Sequence, residues 1–235
     1  MTERPIPMTG PSVVATMAKI KTQTRRVIRH QADGYRHLAG QPDMADGWYA
    51  QHFDVASGWQ PDRLVRCPYG VPGDRLYVKE RFRRIGRCPD SPEEFARARI
   101  EYAADGSIMD RLIPESHWDK PTSFPVACGP SDRYHSGRFM PKWAARNWLE
   151  IVEEPEPQRL QDISEADCLA EGCKLPDGYV ALMVSAFREE FRQIYVDLWD
   201  SINGRRYPWA GNWWVWPIEY KVLSTTGRPK EIAND

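Results

Sequence analysis

The chain has 235 residues, enough for one elaborated domain or two small ones, and its 32 Lys and Arg against 33 Asp and Glu exclude a protein that coats nucleic acid over its whole surface. Ten Trp, ten Tyr, seven Phe and 20 Pro mark a loop-rich globular chain with aromatic surfaces, Pro lying above its usual share of about 5%. The five scattered cysteines (Cys67, Cys88, Cys128, Cys168, Cys173) form no C-x-x-C pair and the five histidines show no ligand spacing, so neither a disulfide scaffold nor a metal or other cofactor is expected.

No apolar run reaches the length of a membrane span and the N-terminus lacks a hydrophobic signal core, so the expectation is a cytoplasmic protein without a membrane partner. Residues 1–10 carry Pro5, Pro7 and Gly10 and are expected to be irregular, after which Ser12 offers an N-cap to a short helix over 13–18. That helix delivers the chain to Lys19-Ile20-Lys21-Thr22-Gln23-Thr24-Arg25-Arg26, a dense run of cations and hydroxyls, with a strand expected over 25–28. Neighbouring cations and partial burial lower a lysine's pKa, which makes Lys21 the candidate base. If a strand begins just after Lys21, alternation sends Lys21 to one face and Thr22 and Thr24 to the other; in a tight turn Lys21 and Thr24 converge instead. By itself the octamer also reads as a solvated basic turn.

From about 30 to 66 the sequence is polar, Gly-rich and aromatic without a sustained period, an insertion expected to hold short strands of its own or to act as a lid. Turn chemistry at Pro72-Gly73-Asp74 precedes an alternating strand over 75–82 that buries Leu76 and Val78. A second strand over 99–104 ends at Asp105-Gly106, a hairpin signal, and a further loop-rich insertion runs over about 106–137. A strand over 147–152 follows. Ser164 and Asp167 then form a capping-box pattern for a helix that stops at Gly172, with Glu171 in its last turn, where the helix dipole raises a carboxyl's pKa and suits a proton donor. Phe187, Phe191, Ile194, Tyr195, Leu198 and Ile202 share one stripe of a helix between 185 and 203, read as core. An aromatic and β-branched strand over 213–223 closes the fold, and 224–235 is expected to be a flexible tail.

Three separated pieces resemble the ASCH family, especially its longer phage and prophage members: Lys21-Thr22-Gln23-Thr24-Arg25 after a short helix, Pro72-Gly73-Asp74-Arg75-Leu76-Tyr77-Val78, and the closing strand from Trp214 to Leu223. Met140-Pro141-Lys142-Trp143-Ala144 and the Leu160-to-Gly172 segment fit those longer members too. The resemblance implies an α+β, mostly β fold akin to the PUA domain: a small β-barrel with rim helices, here a single domain over 1–223 with the two insertions. The turn spacing and the excess of strands agree.

The lysine segment is similar to that of small family members that remove the acetyl group from N4-acetylcytidine. That similarity implies Lys21 as base, Thr24 as nucleophile and Glu171 as proton donor, with Glu165 and Glu80 as other acids to weigh. Arg25 or a backbone N–H of the turn would hold the oxyanion. Two alternatives stand beside hydrolysis. In a non-catalytic binder of RNA or a modified nucleoside, Lys21, Arg25, Arg26 and Lys142 contact phosphates, Trp143, Trp209 or Trp213 stacks a base, and Thr22 and Asn212 are further binding candidates. In a ribonuclease, Lys21 assists proton transfer.

Overall fold

The computed structural model describes residues 1–40, 44–85, 97–115, 133–174 and 188–229. The chain order begins β1 (Glu3–Pro7), α1 (Gly10–Met17), β2 (Gln23–Val27), β3 (Gly34–Leu38), β4 (Gly47–Asp54), β5 (Gly58–Val65), β6 (Arg75–Lys79) and β7 (Phe82–Ile85). It continues with β8 (Arg97–Tyr102), β9 (Ile108–Leu112), β10 (Trp148–Ile151), β11 (Gln158–Arg159), α2 (Glu165–Ala170), α3 (Arg188–Asn203) and β12 (Trp214–Ser224). This is the mixed, mostly β content read from the sequence. The chain folds into two compact units, the first made of Met1–Lys19, Gly73–Ile151 and Lys221–Asp235, the second of Ile20–Pro72 and Val152–Tyr220.

In the first unit the N-terminal residues, expected to be irregular, form a strand. β1 runs parallel to β6 and sets Ile6 beside Val78, both fully buried. Pro5 and Pro7 are tolerated because, among the described residues, β1 has a sheet neighbour on one side only, so the N–H groups they lack are not needed by a second. β6 buries Leu76 and Val78 and turns Arg75, Tyr77 and Lys79 the other way, the alternation the sequence shows. β10 pairs antiparallel with β6. The first helix begins at Gly10, with Thr9 as N-cap in place of the expected Ser12, because Pro11 fits the first helical turn, where no backbone donor is required.

A second sheet in this unit, β7-β8-β9, folds at the expected Asp105-Gly106 turn, where Gly106 takes φ +69°. Its inner face packs Phe82, Ala98, Ile100 and Tyr102 against Met140 and Ala144. β9 lies in the stretch expected to be an insertion, most of which, 116–132, falls outside the described residues. Arg146, with no exposed surface, binds Glu80 through Nε and Nη2 at 2.9 and 2.8 Å and Asp105 at 2.9 Å, and its guanidinium lies 4.3 Å from the centre of the Tyr102 ring. Burial pushes the Glu80 carboxyl above its usual range, and Arg146 offsets part of that. Three residues of the 224–235 segment make polar contacts with the rest of this unit. Gly227 N–H donates to Arg146 O at 2.9 Å, Arg111 donates to Thr226 O at 2.7 Å and Arg228 pairs with Glu3 at 2.9 Å.

In the second unit β12 lies between β2 and β11, with Thr24 opposite Ile218 and Gln158 opposite Val215. β2 begins at Gln23, two residues before the expected start, because its pairing with β12 extends to Glu219. The 30–66 segment holds strands of its own, the antiparallel sheet β3-β4-β5. The core of this unit gathers Leu160, Ile163, Cys168, Phe191, Tyr195, Trp199 and Val215. Trp199 supplies the buried end of the α3 stripe, whereas Ile202, expected there, is 46% exposed. Phe187, also placed on that stripe, lies outside the described residues. Among the described residues no helix is long and apolar enough to cross a membrane.

Candidate functional site

The candidate site forms where one face of α2 meets the free edge of β2, both in the second unit. α2 starts at a closed capping box: Ser164 Oγ accepts the Asp167 N–H at 3.1 Å, and Asp167 Oδ2 accepts the Ser164 N–H at 3.0 Å and its hydroxyl at 2.7 Å. The helix stops before Gly172, which takes φ +92°. Asp167 and Glu171 are four residues apart, so their carboxylates leave on the same face.

β2 meets that face through residues of one parity. Ile28 N–H donates to Trp214 O and Tyr220 N–H donates to Thr22 O, each at 2.9 Å, so the even-numbered residues of this strand bond to β12 and the odd-numbered N–H groups turn away. The N–H of Arg25 is accepted by Glu171 Oε1 at 2.6 Å. Opposite Arg25 sits Pro217, which has no N–H to place. Lys21 Nζ contacts Glu171 Oε2 and donates to the Glu171 backbone carbonyl at 2.8 Å, with side chains 4% and 5% exposed. The Arg25 guanidinium lies 3.0 Å from Asp167 Oδ2 and 3.7 Å from Glu171 Oε1 and donates to Gln23 Oε1. Gln23 Nε2 bridges Asp167 Oδ1 and Glu219 Oε1, each at 3.1 Å.

Two cations and two carboxylates are thus held together, Lys21, Arg25 and Glu171 buried and Asp167 26% exposed, each charge opposed by its neighbours. Burial works against ionisation of Asp167, yet the hydrogen bonds from Ser164 and the charge of Arg25 outweigh it and hold the carboxyl below its usual range. Burial pushes the Cys168 thiol up to about 11 and the Cys173 thiol up to about 12, and raises the Tyr195 phenol well above its ordinary value, with the Glu171 charge adding to each. A cavity of about 260 Å³, lined by Ile163, Ser164, Glu165, Cys168 and Arg192, borders α2. Lys21 Nζ and the Glu171 carboxylate, an amine and an acid, are in direct hydrogen-bond contact.

Of the residues singled out in the sequence, the fold brings Lys21, Arg25 and Glu171 together. Thr24 is buried one residue away, but strand alternation turns its side chain and that of Arg26 to the face opposite Gln23 and Arg25. Thr22 is joined through its backbone, donating to Ala170 O at 2.8 Å. Lys142 and Trp143 belong to the first unit, where Lys142 pairs with Glu3 and Trp143 packs against the Phe82 cluster. Trp209 is half-buried: its ring meets Tyr195 edge-on at 6.0 Å and lies 5.5 Å from the Arg192 guanidinium. Trp213 packs edge-on against Tyr207 at 5.3 Å. Asn212 takes a left-handed backbone at φ +43°, and its side-chain oxygen accepts the Gln161 N–H at 2.9 Å, a turn-building role. Glu165 lines the cavity, and Glu80 is committed to Arg146 in the first unit.

Two members of the site were not read as such from the sequence. Asp167 was seen only as a cap and Gln23 only as a neighbour of Lys21. The legible signal was a coincidence of two periods, Lys21, Gln23 and Arg25 at spacing two against Asp167 and Glu171 at spacing four. Comparison of the chain with protein-family models, with curated proteins and with solved structures finds no match in any of the three.

Proposed function

We propose that this is an ASCH-type protein that hydrolyses an amide on an acylated cytosine, in RNA or in a free nucleoside. The observation that carries the reading is the buried contact between Lys21 Nζ and the Glu171 carboxylate, made by residues 150 apart in sequence at the positions the family resemblance singles out. In the reactive form the shared proton sits on Glu171 and Nζ is neutral. Hydrolysis by this set requires the Thr24 hydroxyl, which strand alternation turns to the face opposite Gln23 and Arg25, to come round to Nζ; Lys21 then accepts its proton, the Thr24 oxygen bonds to the acyl carbon, the C–N bond breaks, and the departing exocyclic nitrogen takes the Glu171 proton. Water then adds to the acyl carbon of the resulting Thr24 ester, the carboxylic acid leaves, the Thr24 oxygen regains a proton, and the proton held by Lys21 returns to Glu171.

Turning Thr24 to the other strand face favours a second reading, a non-catalytic module that binds the modified base through Arg25 and Lys21. Chromatographic assay of N4-acetylcytidine turnover separates the two, using wild type, Lys21→Ala and Thr24→Ala, each checked for folding by circular dichroism. Hydrolysis requires cytidine release by wild type and its loss in both variants. Turnover by Thr24→Ala at the wild-type rate removes the threonine mechanism, and no turnover by wild type leaves binding as the reading.

A further inference from the structure

The charges of this nearly neutral chain are unevenly divided. The first unit carries 19 Lys and Arg against 15 Asp and Glu, the second 13 against 18. Part of the excess in the first unit is displayed on one sheet face. β8 buries Ala98, Ile100 and Tyr102, so alternation presents Arg97 and Arg99 to solvent. On β7 Phe82 and Arg84 are buried, which places Arg83 on the same outer face opposite Glu101, with Arg81 exposed just before it.

Carboxylates answer only part of this charge. Arg83 pairs with Glu101 at 2.7 Å and Arg99 with Asp110 at 3.0 Å, whereas Arg81 and Arg97 form no ion pair among the described residues. An aromatic ring lies among them: the backbone bridge between Phe82 and His135 sets Tyr134 beside β7, with the Arg83 and Arg81 guanidinium groups 4.8 and 5.9 Å from its ring centre. Leu112, 68% exposed, stands opposite Arg97.

We propose that the outer face of β7-β8-β9 is a docking surface for single-stranded RNA, with Arg81 and Arg97 contacting phosphates and Tyr134, with its flanking guanidinium groups, receiving a base. The charge complementarity comes from four arginines, Arg81, Arg83, Arg97 and Arg99, facing two carboxylates, Glu101, which also accepts the Tyr134 hydroxyl, and Asp110, whose carboxyl feels Arg97 as well as Arg99; a single strand fits because its bases are free to stack on a ring and on guanidinium planes. The inference rests on the reading of the protein as acting on RNA, and it uses none of the residues assigned to the Lys21 site.

The test is fluorescence anisotropy with a labelled mixed-sequence 20-nucleotide RNA over a salt series, on wild type, Arg81→Ala/Arg97→Ala and Arg81→Lys/Arg97→Lys, with DNA of the same sequence titrated alongside. Each phosphate contact contributes about 0.7 to the slope of log K against log salt on a single strand, so the double arginine variant is expected to bind more weakly with a slope lower by about 1.4. Arg81→Lys/Arg97→Lys should restore most of the slope. Absence of RNA binding at low salt, an unchanged slope in the double alanine variant, or tighter binding of DNA of the same sequence overturns the proposal. Turnover of free N4-acetylcytidine is read in parallel. The double arginine variant should retain whatever turnover wild type has, so loss of the surface and loss of the chemistry are separate results.

Discussion

Glu171 holds two residues of the lysine segment with its two oxygens: Oε1 accepts the backbone N–H of Arg25 at 2.6 Å while Oε2 meets the ammonium of Lys21. A single carboxylate at the end of a six-residue helix therefore sets both the backbone position of β2 and the side-chain position of its candidate base. Removing either partner strands the other in a buried site.

Replacing Lys21 by Met is expected to cost about 3–5 kcal/mol, because it leaves the Glu171 charge buried without its ammonium partner. The Lys21→Met/Glu171→Leu double variant should lose less than the sum of the two single losses, since no unpaired charge remains. Urea unfolding followed by tryptophan fluorescence measures all three, and additive losses would show that the contact carries no coupling.

Asp167 makes a pH-dependent contribution whose sign follows from its lowered pKa. Its folded value lies below the unfolded one of about 3.9, so the stabilisation is fully present above that value and is lost as pH falls through the folded pKa. The gap in urea midpoint between wild type and Asp167→Asn should accordingly be constant from pH 7 to about 5 and close on further acidification. A gap that persists unchanged to pH 2.5 would assign the loss to the cap geometry alone.

Asn212 sits at φ +43° and accepts the Gln161 N–H through its side chain. Asn212→Gly should lose only that hydrogen bond, about 1 kcal/mol. Asn212→Val should lose about 1–2 kcal/mol more, because a β-branched residue resists the left-handed region. Thermal unfolding of the two variants ranks them, and equal midpoints would contradict the backbone argument.

Cys168 and Cys173 are buried with thiols raised to about 11 and about 12. Alkylation by iodoacetamide at pH 8, followed by peptide mass spectrometry, should therefore label Cys67 well before either of them, as the thiolate is the reacting form. Addition of urea should abolish the difference. Early labelling of Cys168 in native protein would mean that the α2 face opens more readily than its packing indicates.

Much of this molecule was legible in local pattern. The alternation of Leu76 and Val78, the capping box at Ser164 and Asp167, the Asp105-Gly106 hairpin and the long closing strand all depend on residues a few positions apart, where dihedral preference and side-chain period act directly. The α3 stripe was legible in period but not in detail, since the choice between Trp199 and Ile202 as its buried end depends on what the helix packs against. β1 escaped local reading because Pro5 and Pro7 suppress a strand unless its donors have no second neighbour to satisfy, and only the parallel pairing with β6 creates that condition. The candidate site divides in the same way. Sequence determined that Lys21, Gln23 and Arg25 share one face if extended, and that Asp167 and Glu171 share one face if helical. Tertiary structure decided that these two faces meet and that Thr24 looks the other way, because the meeting depends on β12 occupying one edge of β2 and leaving the Arg25 N–H on the other to be satisfied by a carboxylate 146 residues away.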